Sequence, residues 1–257
     1  MLRSNLRIVL IGSGNVATHL AKALRDAGNE IVQVYSRTLE NARVLGEGLS
    51  AKFTDNIQDI DPSADIYIFS VKDDVIAEIL SAMPSTKGVW VHTAGSVPMD
   101  VFASYTKNFG IIYPLQTFSK KREINFSEVP VFIEGSSDSV CSILENLAKS
   151  ISQNVRFLSG EKRRHLHLAA VFACNFTNHM YVLAEEIIGK ENIPFDVLNP
   201  LIDETAAKVK VISPKQAQTG PAVRFDEEVM EKHRQLMVDG EVKEIYKLLS
   251  KSIHKRK

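Results

Sequence analysis

Leu6-Arg7-Ile8-Val9-Leu10-Ile11-Gly12-Ser13-Gly14-Asn15-Val16-Ala17-Thr18-His19-Leu20 is the stretch that decides the fold. Its first six residues form a short apolar run with β-branched side chains, broken only by Arg7, and read as a buried strand. Glycines follow at once. From His19 onward Leu20, Ala23, Leu24 and Ala27 recur at helical spacing. A strand, a glycine turn and a helix start, in that order, make the phosphate-binding unit of a dinucleotide fold. The spacing Gly-x-Gly-x-x-Ala gives each small residue a task. Gly12 permits the tight turn out of the strand, Gly14 lets a pyrophosphate lie against bare backbone, and Ala17 lets the helix close on the strand. The N–H groups and dipole of the helix start, from Ser13 to Val16, then face the phosphates. The plainer reading of the same residues is a glycine turn in some other α/β unit.

Outward from this turn, Gly28-Asn29 stops the helix and residues 30–36 read as a second strand. A site that prefers NAD usually carries a carboxylate at the end of this strand, on the ribose hydroxyls. Here the strand runs out through Tyr35-Ser36-Arg37-Thr38, with no acid. Ser36 and Thr38 can hydrogen-bond a ribose phosphate and Arg37 attracts it, so the expected cofactor is NADP(H) rather than NAD. The alternative for Arg37 is a solvated residue beside the next helix.

The chain then alternates. Residues 39–49 and 75–83 read as helices, and 51–54, 65–71, 87–93 and 108–113 as strands, the last closed by Pro114. Residues 115–128 are a polar, lysine-rich connection, and short strands at 130–134 and 154–158 flank a helix at 137–152. Ends of successive parallel strands border a dinucleotide crevice. Ser70, Val71 and Lys72, and Thr93, Ala94 and Gly95, therefore stand where the nicotinamide half would lie, unless they are simply turns between strand and helix.

The pattern changes near Gly160, which divides the chain into a dinucleotide-binding domain, 1–160, and a helical domain, 161–257, expected to border the substrate cleft. Residues 161–189 form one long helical pattern, apolar around most of its circumference and so expected to be mostly buried. A second helix is expected over 194–212, started afresh or bent by Pro200. A loop follows over 213–223, and two helices over 225–238 and 241–252. The long helix carries His165, His167, Asn175, Asn178 and His179 among apolar neighbours. At about 100° per residue Asn175 and His179 share one stripe, and His167 and Asn178 share another close by. Buried polar groups need a partner: a neighbouring helix, a second subunit or a substrate. Thr219-Gly220-Pro221-Ala222-Val223-Arg224-Phe225-Asp226 is a second candidate. Arg224 can hold a substrate carboxylate there, or the segment is a rigid turn with a surface ion pair.

Composition bounds the class. In 257 residues, 31 basic and 31 acidic side chains balance, which leaves no overall basic footprint for nucleic acid. No apolar run approaches the ~20 residues that span a bilayer, and the N-terminus has no signal-peptide pattern. Cys141 and Cys174 lack metal-ligand spacing and read as reduced, buried thiols of a cytoplasmic protein. The tail 250–257, with Lys251, Lys255, Arg256 and Lys257, reads as a frayed solvated end.

Several further segments carry a family likeness: Phe69-Ser70-Val71-Lys72, His92-Thr93-Ala94-Gly95-Ser96, Pro114-Leu115-Gln116-Thr117-Phe118, Ala169-Ala170-Val171-Phe172-Ala173-Cys174-Asn175, and Thr219-Gly220-Pro221 with Arg224, Asp226 and His233. With the glycine turn and Tyr35-Ser36-Arg37, they make the chain resemble, nearly end to end, the Rossmann-like proteins with a DUF2520 helical C-terminus. That group is a relative of pyrroline-5-carboxylate reductase, F420-dependent NADP reductase and the 6-phosphogluconate and 3-hydroxyacid dehydrogenases. The resemblance implies an α/β Rossmann domain with a doubly wound, mostly parallel sheet, followed by an all-α domain that often builds a homodimer, with a cleft between them. It supplies no substrate. Three positions depart from the pattern. Tyr113 stands where the family commonly has histidine, and Phe225 where it commonly has glycine. Val171 stands where 3-hydroxyacid dehydrogenases place a lysine, one helical turn before the asparagine that matches Asn175. Valine cannot transfer a proton, which weighs against lysine-assisted alcohol oxidation; imine reduction asks less of such a lysine.

The expected function is an NADP-dependent oxidoreductase that moves hydride between NADP(H) and a small carbonyl, imine or alcohol. Asn175 would orient the substrate, His167 (or else His179) would donate a proton, and Arg224 beside Thr219 would hold an anionic group. No metal, nucleic acid or membrane enters this reading. Its rivals are a dinucleotide sensor or scaffold without catalysis, and a dimerisation protein that binds no cofactor.

Overall fold

A computed structural model describes residues 5–238 and 240–256, so Lys257 of the expected tail lies outside the described residues. The chain forms two compact units, Met1–Cys174 and Asn175–Lys257.

The first unit is built on a sheet of eight strands: β1 (Arg7–Ile11), β2 (Glu30–Tyr35), β3 (Lys52–Thr54), β4 (Ile66–Phe69), β5 (Val89–His92), β6 (Phe109–Pro114), β7 (Val131–Gly135) and β8 (Val155–Phe157). They lie in the order β3-β2-β1-β4-β5-β6-β7-β8, with β7 antiparallel to β6 and the other pairings parallel. This is the doubly wound α/β class expected from the apolar runs. Ile8 and Leu10 of β1 enter one core layer, with Leu20 and Leu24 of α1 (Asn15–Asp26), Leu45 and Leu49 of α2 (Leu39–Leu49), and residues 140–148. Val9 and Ile11 enter the opposite layer, with Phe69, Trp90 and, from α3 (Ile76–Ala82), Ile79 and Leu80. A strand covered on both faces has no solvent side, which is why these runs show no polar alternation. The chain winds from β1 out to β3, then crosses back to place β4 on the other side of β1. That reversal opens a crevice at the carboxyl ends of β1 and β4.

Two more helices complete the unit. α4 (Asp138–Lys149) is N-capped by the Ser137 hydroxyl, which accepts from the Val140 N–H at 3.3 Å. α5 (Gly160–Ala170) begins where the strand pattern ends. The unit nevertheless runs on to Cys174, because Arg163 and His167 of α5 are bonded to Glu134 and Tyr113 of the sheet.

The helical half departs from expectation in four respects. The long helix is interrupted: Val171–Phe176 winds as a π-helix before α6 (Thr177–Gly189). Its wider turn shifts the angular register, so stripes drawn at a constant α-helical step do not carry across it. The helix is also not buried within the chain. Phe172 is 62% and Leu168 56% exposed, and none of the α6 residues is buried. Apolar periodicity marks a face that needs cover without saying what covers it.

The third departure is the loop at 213–223, which contains α8 (Pro214–Ala217) and α9 (Pro221–Arg224). Both start on proline, and Ser213 with Gln216 forms a capping box on α8. The fourth is the tail, which is part of α11 (Gly240–Lys255). Tyr246 of α11 bonds His233 of α10 (Glu227–Leu236) at 2.9 Å, and the His254 ring packs, tilted, against Phe225. α7 (Asn199–Val211) does begin afresh with Pro200 in its first turn, as expected. Cys141 and Cys174 are free thiols, each partly exposed rather than buried.

Candidate active site

A cleft of about 760 Å³ opens in the first unit at the carboxyl ends of β1, β2, β4, β5 and β6. From β1 and the start of α1 come Gly12, Ser13, Gly14, Asn15 and Val16. Gly12 has φ +117°, and a Cβ there would stand 2.2 Å from the Ser70 carbonyl oxygen. Its N–H donates to Tyr35 O at 2.8 Å, and the Ser70 N–H donates to Ile11 O at 2.8 Å, so the turn is tied to both neighbouring strands. Gly14 differs: a Cβ there would meet nothing within 4 Å. It N-caps α1 with no side-chain capping bond. The helix start is therefore left to water or a ligand, at the positive end of the dipole. Ala17 is fully buried between helix and sheet.

From β2 come Tyr35, Ser36, Arg37 and Thr38, and from the first turn of α2, Asn41. The Ser13 hydroxyl donates to Ser36 Oγ at 3.0 Å, which joins the glycine turn to this rim. Arg37 and Thr38 are exposed.

The inner end is built by the turns after β4 and β5. Ser70, Val71, Lys72 and Asp73 face Thr93, Ala94 and Gly95 in the lining. The two turns are joined twice: Thr93 Oγ1 donates to Ser70 Oγ at 3.2 Å, and the Ser96 hydroxyl donates to the Asp73 carboxylate. Beneath them His92 is fully buried. Its Nδ1 accepts the Ala94 N–H at 3.2 Å, which leaves Nε2–H to donate to Pro98 O at 3.4 Å. A neutral imidazole thus braces the turn that forms one wall of the cleft.

Burial, and second the nearby Arg163 charge, press the His92 pKa down from 6.5 to about 4. The unfolded chain therefore binds this proton more readily than the folded one, and stability falls as pH drops from 6.5 toward 4. The displacement corresponds to about 3 kcal/mol, complete below pH 4. Urea unfolding at stepped pH should show this loss, and His92→Gln should flatten it. Equal slopes in both proteins would refute the assignment.

Tyr113 of β6 and His167 of α5 close the inner end. The phenol oxygen lies 2.9 Å from His167 Nδ1, with the rings edge to face. Burial raises the Tyr113 pKa, partly offset by Arg163. Gly95 is what admits the imidazole: a Cβ there would fall 2.5 Å from the ring. Arg163, 0% exposed, donates Nη1 to Glu134 at 2.7 Å and Nη2 to Val97 O at 2.6 Å. Glu134 also accepts the Gly160 N–H at 3.0 Å, at the first residue of α5. One buried ion pair fixes the helix that carries His167.

The fourteen positions read as cofactor-binding from the sequence all line this one cleft, together with His167. Asn175, His179, Thr219 and Arg224 belong to the second unit, where each is exposed. There Asp226 caps α10 by accepting the Val229 N–H at 3.3 Å. Sequence reasoning passed over Asn41, Asp73, Gln116 and Lys120 as lining residues, Tyr113 as a partner of His167, and Arg163 as a buried ion. Asn41 was legible, three residues beyond Thr38 in a helix start; a buried Arg163 had no signal within Glu161-Lys162-Arg163-Arg164. Among the described residues no group of three or more His, Cys, Asp or Glu could hold a metal ion, and no helix is long and apolar enough to cross a membrane.

Comparison with known proteins adds four findings. The family described as NADP oxidoreductase, coenzyme F420-dependent, matches residues 7–91, and the domain of unknown function DUF2520 matches residues 129–253. A solved structure from Bacteroides fragilis, named as a candidate NADP oxidoreductase, is 48% identical, with a TM-score of 0.93 over 98% of this chain and 99% of that one. Two distant structures share the fold alone, each at 16% identity. Pyrroline-5-carboxylate reductase from Streptococcus pyogenes has a TM-score of 0.67 over 98% of this chain and 99% of its own. The reductive aminase from Aspergillus terreus, solved with NADPH, has 0.71 over 95% and 93%. No curated protein matches the sequence significantly.

Proposed function

The chain belongs to the NADP oxidoreductase family of the Bacteroides fragilis protein, and we propose that it binds NADP(H) in the cleft of its first unit and moves hydride to or from a small carbonyl, imine or alcohol. One observation carries this reading. The glycine turn, the Ser36-Arg37-Thr38 rim and the Tyr113–His167 pair line a single cleft. The residues fit the cofactor, since the Gly12 turn is held open by strand contacts and the uncapped start of α1 faces empty space at Gly14. Gly14 and α1 would receive the pyrophosphate. Arg37, with Ser36 and Thr38, would hold the ribose phosphate. Ser70 to Lys72 and Thr93 to Gly95 would border the nicotinamide. When bound, the cofactor supplies or accepts the hydride. His167, oriented by the Tyr113 phenol, would deliver the matching proton, because Val171 offers none. Asn175 and His179 are assigned to substrate orientation, and Arg224 with Thr219 to an anionic group. The exposed apolar side chains of the second unit, Phe176, Val182 and Ile187 among them, suit a homodimer.

Titrating NADPH and NADH against the fluorescence of buried Trp90 tests the cofactor. NADPH should bind at least about tenfold tighter, and Arg37→Ala should erase that preference. Tighter NADH binding would overturn the role of Arg37. A panel of cyclic imines and keto acids, followed by loss of NADPH absorbance, tests the chemistry. His167→Ala should slow any turnover by about 10²- to 10⁴-fold. Val171 favours the second reading, a dinucleotide sensor; tight NADPH binding with no turnover across the panel would select it.

A further inference from the structure

The connection after β6 passes alongside α1, and two contacts fasten it there. Phe118 packs on the His19 ring at 5.3 Å between centroids and stacks on Phe126 at 6.0 Å. The Ser119 carbonyl accepts the His19 Nε2–H at 2.9 Å. His19 is buried on α1, four residues past Asn15, which places it about 6 Å along the axis from the helix start. Lys120 follows the fastened carbonyl directly. An extended lysine side chain is about as long as that distance. Gln116 and Lys120, on either side of the fastening, both line the cleft that holds Gly12 to Val16. Among the described residues no carboxylate pairs with Lys120.

We infer that Lys120 is a further binding residue, a cation for the pyrophosphate of the dinucleotide, and that His19 positions it by fastening the strap to α1. The inference rests on the NADP(H) reading above. The glycine turn itself brings only neutral side chains: Ser13, Asn15 and Val16. A diphosphate brings two negative charges, and the partial charge of the helix start matches only part of that. Lysine, a point charge on a flexible stem, suits a diphosphate approached from one side. Arg37 follows β2, beside Ser36 and Thr38, whereas Lys120 belongs to the connection after β6, fastened to α1, so the two cations answer to different phosphates.

That division makes the test specific. The full chain and its Lys120→Ala, His19→Ala, His19→Gln and Arg37→Ala variants are titrated with NADPH and with NADH at low and high salt. Lys120→Ala should weaken both cofactors alike, by about tenfold, and flatten the salt dependence. Arg37→Ala should weaken NADPH alone. His19→Ala should weaken both, and His19→Gln, which can still donate to the Ser119 carbonyl, should recover most of the loss. Unaltered binding by Lys120→Ala, or a loss confined to NADPH, overturns the inference while leaving the cofactor reading intact. If the unaltered chain binds neither cofactor, the cofactor reading falls and this inference with it.

Discussion

Gly12→Ala is expected to destabilise the first unit by about 3 to 5 kcal/mol and to abolish NADPH binding, whereas Gly14→Ala should fold normally and lose only the binding. The two glycines of one motif thus separate. At Gly12 the backbone holds φ +117°, where an L side chain is strained, and the added Cβ would stand 2.2 Å from the backbone oxygen of Ser70. That oxygen sits at the end of β4, and the Ser70 N–H is bonded to Ile11 O at 2.8 Å. Relief therefore means parting two central strands rather than turning a side chain. At Gly14 φ is −75°, open to any residue, and a Cβ meets nothing within 4 Å. Alanine there should shift stability by less than about 1 kcal/mol, since it also narrows the unfolded ensemble. Its methyl group would occupy the space left for a phosphate, and NADPH affinity should fall at least about tenfold. Urea unfolding and NADPH titration of both variants check the pair. A stable Gly12→Ala protein, or a Gly14→Ala protein that binds NADPH as the parent does, would refute the corresponding half.

The contrast shows where sequence reasoning is strong. The inner strands were legible because a strand covered on both faces must be a continuous apolar run; the short edge strands β3 and β8, largely exposed, were marked instead by their place in the alternation of strand and helix. The convergence of Gly12, Ser36, Ser70 and Thr93 on one cleft was legible for a related reason. In a doubly wound sheet, topology brings the ends of successive strands together without help from side-chain detail. What escaped depends on such detail. Leu115 to Glu128 reads as a polar, lysine-rich connection, and nothing in its residues shows that His19 fastens it to α1 or that Gln116 and Lys120 border the cleft. Helical periodicity showed residues 161–189 as apolar around most of the circumference, yet Phe172 and Leu168 remain exposed within the chain. A hydrophobic pattern is a demand for cover, met by whatever packs there. The π-helix at Val171–Phe176 was equally hidden, since no residue type marks one reliably.

Arg163→Ala should cost about 3 to 5 kcal/mol, far more than the loss of any other ion pair among the described residues. Most of the described pairs are exposed, where water and salt screen the attraction; Arg43 with Glu40 and Glu47 is an example. Arg163 is different because its side chain is 0% exposed and that of Glu134 only 13%. Removing the guanidinium leaves a carboxylate in a low-dielectric setting, with the Gly160 N–H still donating to it. It also strips the Val97 carbonyl of its donor. Arg163→Lys should recover only part of the loss, since one ammonium cannot reproduce a planar fork that reaches both acceptors. Replacing both ions, as in Arg163→Met with Glu134→Gln, should cost less than the single alanine, because no unpaired charge remains. The consequences extend to the cleft. Arg163 links the first turn of α5 to the segment after β5, and the Gly95–His167 contact lies just beyond it. The side-chain nitrogen resonances of His167 should therefore change in Arg163→Ala under conditions where the protein remains folded. An unfolding free energy within about 1 kcal/mol of the parent, or an unchanged His167 spectrum, would mean that Arg163 neither holds the unit together nor fixes the imidazole in place.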